Sequence, residues 1–115
     1  MSLGSDVGGG TSLSMLRTMA DAYKVQALRG ERLTAWVALH AATRGAAHAL
    51  RLEGEIGSLA VGAVADVCVW DIAVGAVAVQ RDNLARSLHA RLFAWMTLAD
   101  DRNLVDAWVA GVRRT

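Results

Sequence analysis

Length is the feature that most constrains what this chain can fold into. Its 115 residues are enough for one small domain, because domains run from roughly 50 to 250 residues. A closed (β/α)₈ barrel needs about 250 residues. We therefore expect one small domain and no complete barrel.

The composition favours a folded chain. Hydrophobic residues make up 54% and charged residues 20% of the sequence, which is typical of a chain that buries a core and not of a disordered one. Lys and Arg number 12 against 11 Asp and Glu, giving a net charge of +1. Nucleic-acid binders usually carry a basic excess clustered on one face. We therefore expect no nucleic-acid partner.

Cysteine usage and the apolar runs bear on where the chain resides. The single cysteine, Cys68, cannot form an internal disulfide, which fits a reducing compartment and a packed, inert thiol. The first residues show no charged-then-apolar signal pattern, so we expect a cytoplasmic chain. The most apolar run, residues 59–79, contains Asp66 and Asp71, and each aspartate would cost about 2.5–3.5 kcal/mol near a bilayer centre. We interpret the run as buried strands and expect no membrane partner.

Apolar periodicity predicts two helices in the first half of the chain. Thr11 or Ser12 is a candidate cap for the first helix, and Gly30 is suited to end it. Thr34 is a candidate cap for the second helix, which ends before Gly54. The predicted inner faces carry Leu13, Leu16, Ala20, Tyr23 and Ala27 in the first helix, and Trp36, Leu39, Thr43, Ala47 and Leu50 in the second.

The second half changes period and predicts strands. The predicted strands cover residues 56–59, 65–71 and 104–109, with 77–79 as a further candidate. The run 65–71 is apolar enough to be buried on both faces. A third helix, capped by Asp82 or Asn83, precedes the last strand, so the fold class is α+β.

No local spacing in the sequence predicts a complete metal site. His40 and His48 are eight residues apart on one predicted helix, a rise of about 12 Å, so they cannot hold one ion together. Zinc needs three or four converging ligands, and neither His89 nor Cys68 lies in a short metal-binding motif. We expect each histidine to be a packed or surface residue.

Asp6 and the glycines that follow it form the one local pattern with catalytic potential. Glycines at positions 8–10 before a helix could surround an anion with amide groups, but the ending of a phosphate loop is missing. Asp6 precedes them, where a barrel strand end would place a catalytic residue. The alternative is that Asp6 only caps the glycine turn.

A longer pattern resembles a known family. The run Gly4-Ser5-Asp6-Val7-Gly8-Gly9-Gly10-Thr11-Ser12-Leu13-Ser14-Met15-Leu16-Arg17, followed by Ala22-Tyr23-Lys24-Val25, is similar to guanine deaminases of the amidohydrolase superfamily. The similarity continues in Ile56-Gly57-Ser58-Leu59, in Ala65-Asp66-Val67 and in Met96-Thr97-Leu98-Ala99-Asp100-Asp101-Arg102. The resemblance therefore extends over most of the chain.

The resemblance implies hydrolysis of guanine to xanthine and ammonia at a zinc ion, a reaction of purine catabolism. In that family a distorted (β/α)₈ barrel carries the metal, and a small β-rich domain is assembled from both ends of the chain. Asp6 matches the aspartate at the end of the eighth strand, which contacts the metal and takes part in proton transfer. The family's metal-binding histidines have no counterpart in His40, His48 or His89.

The resemblance also implies how the chain is divided. Residues 1–54 hold the end of the last barrel strand and two helices, and residues 55–115 hold composite-domain strands and one helix. We expect a C-terminal segment of a metal-dependent amidohydrolase that is inactive alone, binds no zinc by itself and is homo-oligomeric. Two alternatives stay open: a non-catalytic, self-associating helical structural protein, and a segment of an amidohydrolase acting on another aminopurine or a triazine.

Overall fold

The computed structural model describes residues 1–114 and has the predicted α+β architecture. Its elements, in chain order, are α1 (Met15–Leu28), α2 (Ala35–Ala42), α3 (Arg44–Ala49), β1 (Val67–Trp70), α4 (Ala76–Leu84), α5 (Leu88–Leu98), a 3₁₀ turn (Asp101–Asn103), β2 (Leu104–Val109) and β3 (Val112–Arg113). Among residues 1–114, no helix combines the length and the apolar character that crossing a membrane requires.

Helix α1 begins later than its sequence pattern predicts. Ser14 occupies the N-cap position, so the predicted cap at Thr11 or Ser12 is wrong, and Leu13 is exposed ahead of the helix. The prediction that Gly30 ends this helix is confirmed to within one residue. Arg29 is the C-cap and Gly30 follows in the left-handed region at φ 77°, which glycine adopts without steric cost.

The second predicted helix is divided in two. Thr34 caps α2 as predicted, its Oγ1 accepting a hydrogen bond from the Val37 amide at 3.3 Å. The helix then breaks at Thr43, whose φ of −123° and ψ of −99° are not helical. The Thr43 hydroxyl donates to the Leu39 carbonyl at 2.8 Å, and α3 starts at the next residue.

The predicted inner face of this segment is right only in part. Ala47 is buried and Leu39 packs against the core. The buried residues of α2 are Ala35, Ala38 and Ala41, whereas Trp36 and Leu50 are 47% and 67% exposed. Because α2 is apolar on nearly every side, its periodicity does not select one face. Small alanine side chains let its backbone lie close to α1 and α5, and helix packing selects that side.

Residues 56–58 form a bend and residue 59 has no regular structure, so the predicted strand at 56–59 is wrong. Gly57 has a φ of 80°, and a Cβ added there would lie 2.9 Å from the Ala47 Cβ and 3.0 Å from the Arg44 Cα. The segment therefore packs its backbone directly onto α3. Only glycine combines this φ with this close approach.

The three strands form one antiparallel sheet in the order β1-β2-β3. Val67 pairs with Trp108 and Val69 with Asp106, so the predicted strands at 65–71 and 104–109 are confirmed in position. The predicted burial of the first on both faces is wrong, and Cys68 is exposed. Within residues 1–114, β1 packs mainly against β2, its neighbour in the sheet, so its two faces are only partly covered.

Residues 77–79 lie in helix α4 and not in a strand. Asp82 and Asn83, predicted to cap the third helix, lie inside α4, and Ser87 caps α5 by accepting from the Ala90 amide at 3.1 Å. The valines of α4 have high strand propensity. Packing of α4 against α5 overrides that weak preference.

The core lies between α1, α2 and α5, and one tryptophan pair joins it to the sheet. The buried members are Leu16, Met19, Leu33, Ala35, Ala38, Trp95 and Met96. Trp70 at the end of β1 meets Trp95 edge to face, with ring centroids 5.7 Å apart. Helices and sheet therefore share one apolar layer.

Candidate functional site

Asp6 stands at the start of a tight turn ahead of α1. Its backbone has a φ of 51°, in the left-handed region that non-glycine residues rarely occupy. The Asp6 carbonyl accepts hydrogen bonds from the amides of Gly9, at 3.0 Å, and of Gly10. The residue therefore closes the glycine turn through its backbone, which leaves its side chain available for other contacts.

Asp6 and Ser5 leave no room for a side chain at positions 9 and 10, which explains why both are glycines. A Cβ added to Gly9 would lie 2.7 Å from Oδ2 of Asp6, and one added to Gly10 would lie 1.8 Å from the Ser5 carbonyl oxygen. The sequence pattern suggested an anion loop or a simple cap. In the structure Asp6 does close the turn through its carbonyl, and these glycines also leave room for the Asp6 carboxylate and for the Ser5 carbonyl.

The Asp6 carboxylate is exposed and has no hydrogen-bond or ion-pair partner within residues 1–114. A left-handed backbone at a non-glycine residue stores strain of about 1–3 kcal/mol, and such residues cluster at functional sites. An exposed, strained and unpaired carboxylate is thus the strongest candidate for chemistry that the chain contains.

The described residues do not make a complete metal site. Across residues 1–114, no group of three or more His, Cys, Asp or Glu side chains is placed to hold a metal ion. Zinc takes three or four ligands, and Asp6 is a single carboxylate. The chain's own residues therefore do not fit a zinc ion without ligands from elsewhere.

His40 and His48 share a cavity that Asp6 does not line. Because the helix breaks at Thr43, His40 and His48 both line one cavity of about 290 Å³, together with Arg44. His48 Nδ1 lies 3.2 Å from a carboxylate oxygen of Glu53. Sequence spacing had separated the two histidines along one straight helix.

Three arginines of the last third are neutralised by aspartates. Arg91 Nε lies 2.6 Å from Asp82 Oδ1, and Arg113 Nε lies 2.7 Å from Asp106 Oδ1. Hydrogen bonding to Arg91 lowers the pKa of Asp82 below its ordinary value. The third pair joins Arg102 to Asp100.

An apolar groove of about 790 Å³ lies near the start of α1 and does not include Asp6. Leu13, Leu39 and Leu59 contribute to its walls, and Cys68 and Trp70 reach it from β1. The groove exposes the side of the core that faces the edge strand. Such a surface is expected to be covered by more polypeptide or by another molecule.

Comparison with known proteins identifies the family. The sequence profile of the amidohydrolase family matches residues 1–114. This chain belongs to the amidohydrolase family. The match includes Asp6, its glycine turn and the sheet, so the α+β elements described above are those of an amidohydrolase.

This amidohydrolase is similar to guanine deaminases in sequence and in structure. It is 39% identical to guanine deaminase of Escherichia coli strain K12 over 109 residues, which cover 95% of this chain and 25% of that enzyme. The solved structure of the E. coli enzyme superposes with a TM-score of 0.95 at 38% identity, covering 99% of this chain and 27% of that one. The predicted resemblance is confirmed.

Two further relatives have the same character. A probable guanine deaminase of Deinococcus radiodurans is 37% identical over 119 residues, covering 96% of this chain and 26% of the relative. The crystal structure of guanine deaminase from Bradyrhizobium japonicum superposes with a TM-score of 0.87 at 28% identity, covering 98% of this chain and 30% of that one. The chain spans about a quarter of the length of the curated relatives it matches.

Proposed function

We propose that this chain forms part of a guanine deaminase-like amidohydrolase that hydrolyses guanine to xanthine and ammonia. The observation that supports the proposal is the superposition of this chain on E. coli guanine deaminase, with a TM-score of 0.95 over 99% of the chain. At that similarity every element from the Asp6 turn to β3 has a counterpart in an enzyme of that activity.

Within this function, Asp6 supplies the catalytic carboxylate and one contact to a zinc ion. Three features support the role: the left-handed backbone, the exposed side chain and the glycines that leave space around it. A positioned carboxylate can accept and return a proton. Because Asp6 is one ligand, the chain alone is expected neither to bind zinc in a defined site nor to turn over guanine.

The proposed function also gives the two halves of the chain their roles. Residues 1–54 supply the last strand end of the barrel with its helices, and residues 55–115 supply the composite-domain strands. Helix α5 belongs to the second half and packs against α1 and α2 of the first. This packing holds the glycine turn that begins at Asp6 and the sheet in one position relative to each other.

A chimeric enzyme tests the proposal. The segment of E. coli guanine deaminase that matches this chain is replaced by residues 1–115, and xanthine formation is measured with zinc present. We expect turnover in the chimera, a loss of at least about 100-fold with Asp6→Asn, and none with the 115-residue chain alone. Asp21→Asn is the matched control, because Asp21 lies on the exposed side of α1, paired to Lys24 at 2.9 Å.

Three outcomes would contradict the proposal. Xanthine formation by the isolated chain would mean that it holds a complete site, and turnover that survives Asp6→Asn would remove the role of Asp6. A folded chimera that deaminates another aminopurine or a triazine, but not guanine, would move the chain to a different substrate within the family.

A second candidate function is a non-catalytic, self-associating assembly protein. Many large apolar side chains are exposed, including Leu13 at 74%, Leu84 at 67% and Leu88 at 55%. Exposed apolar surface favours association. Self-association of the chain with no activity in the chimera would favour this candidate.

The cellular setting follows from the same proposal. We propose a cytoplasmic protein of purine catabolism, since the exposed thiol of Cys68 suits a reducing compartment. Three of the arginines in the last third of the chain are neutralised by aspartates, which reduces the positive charge of that region. We therefore propose guanine, and not nucleic acid or a membrane, as the partner.

A further inference from the structure

A further pocket, of about 460 Å³, lies where α1, α4 and α5 meet the segment that leads into α2. Asp6 is not among the residues that line it, and neither are the residues of the apolar groove. Its volume falls within the roughly 300–1,000 Å³ of small-molecule sites.

Two arginines, Arg32 and Arg81, line this pocket, and no Asp or Glu among residues 1–114 does. Arg32 precedes α2 and Arg81 lies on α4, so the fold brings them together from positions far apart in the chain. Neither has an ion-pair or hydrogen-bond partner within residues 1–114. This contrasts with Arg91, whose charge is neutralised by Asp82 at the neighbouring surface.

The rest of the pocket wall is aromatic and hydroxylic. Tyr23 and Phe93 meet edge to face with ring centroids 4.9 Å apart, and both line the cavity. The Thr34 hydroxyl accepts from Val37, which leaves its proton free to donate. His89 also lines the wall, and its buried Nε2 has no hydrogen-bond partner within residues 1–114.

We propose that this pocket binds an aromatic phosphomonoester. The guanidinium groups of Arg32 and Arg81 hold the phosphate, because planar guanidinium donors match oxyanions and keep their charge at any ordinary pH. Tyr23 and Phe93 contact the ring of the ligand, for which edge-to-face packing is favourable. The proposal does not depend on guanine deamination, since guanine carries no phosphate.

Titration of the full chain with phenyl phosphate tests the proposal. Calorimetry gives the dissociation constant, and amide chemical shifts give the location. We expect Arg32→Gln and Arg81→Gln each to weaken binding about tenfold, and the double variant to abolish it. Arg114→Gln removes the same charge from an exposed site outside the pocket and is expected to leave binding within about twofold.

Phenol and inorganic phosphate separate the two parts of the proposed ligand. Both are expected to bind at least tenfold more weakly than phenyl phosphate. Equal weakening by Arg114→Gln, or shift changes spread over the whole surface, would reduce the effect to non-specific charge and overturn the proposal. Inorganic phosphate binding as tightly as phenyl phosphate would overturn the aromatic part. Folding of each variant is checked by circular dichroism.

Discussion

At the scale of single residues, Gly10 is the position where the turn around Asp6 tolerates least change. A Cβ at Gly10 would lie 1.8 Å from the Ser5 carbonyl oxygen, a backbone atom that cannot move without opening the turn. We expect Gly10→Ala to lower the free energy of unfolding by about 1–3 kcal/mol. Urea denaturation followed by tryptophan fluorescence measures the change.

Gly4→Ala is the matched control for this substitution. A Cβ at Gly4 meets no atom within 4 Å, so we expect the unfolding midpoint to stay unchanged or to rise slightly through reduced unfolded-state entropy. Equal destabilisation by both substitutions would show that the turn does not need the close approach at Gly10.

A second prediction at this scale concerns the ion pair between Asp82 and Arg91, whose Nε and Oδ1 are 2.6 Å apart. Hydrogen bonding to Arg91 lowers the folded-state pKa of Asp82, so the pair stabilises the fold above the unfolded pKa, about 3.9. We expect the difference in urea midpoint between the chain and Asp82→Asn to be constant from pH 7 to 5. It should shrink below about pH 4 as Asp82 is protonated. A difference that grows on acidification would contradict the sign.

At the scale of elements, the sequence predicts best the helix ends that are set by a local capping or terminating residue. Thr34 caps α2 and Gly30 follows α1, because a hydroxyl acceptor and a left-handed glycine act locally. The predicted strand at 77–79 is wrong because the strand propensity of valine is a weaker effect than the packing of α4 on α5. The bend at Gly57 is not predictable from the local sequence, because it is caused by contact with Ala47 on α3.

Asn103 tests how the sheet is attached to the helices. It is 3% exposed, its Nδ2 donates to the Asp71 carbonyl at 2.8 Å, and its Oδ1 accepts from the Asp100 amide at 3.1 Å. We expect Asn103→Ala to cost about 2–3 kcal/mol, because two backbone groups lose their partner. Thermal and urea unfolding measure the loss.

The control for this prediction is Asn83→Ala. Asn83 is exposed on α4, where alanine has the higher helix propensity. We therefore expect the free energy of unfolding of this variant to stay within about 0.5 kcal/mol of that of the unsubstituted chain. A similar small effect of Asn103→Ala would mean that strand pairing alone fixes the corner between β1 and the 3₁₀ turn.

At the scale of the whole molecule, the candidate site is less predictable than the fold. The local pattern singles out Asp6 but leaves a turn-capping role equally open, and only the resemblance to a family gives its carboxylate a catalytic role. The pocket with Arg32 and Arg81 has no sequence signal, because its residues come from three separate helices and from the segment before α2. The α+β class was predictable, because apolar periods of helix and strand alternate along the chain.

The apolar groove gives the last prediction, which concerns association. Leu59 lines the groove and is 86% exposed, whereas Val61 is fully exposed outside it. If the groove is the surface through which copies of this chain meet, sedimentation at micromolar concentration will show dimers or larger species. Leu59→Lys will then weaken association at least tenfold, because a buried charge is costly, and Val61→Lys will leave it unchanged. A monomer at all concentrations, or equal effects of both lysines, would mean that copies of the chain do not meet through the groove.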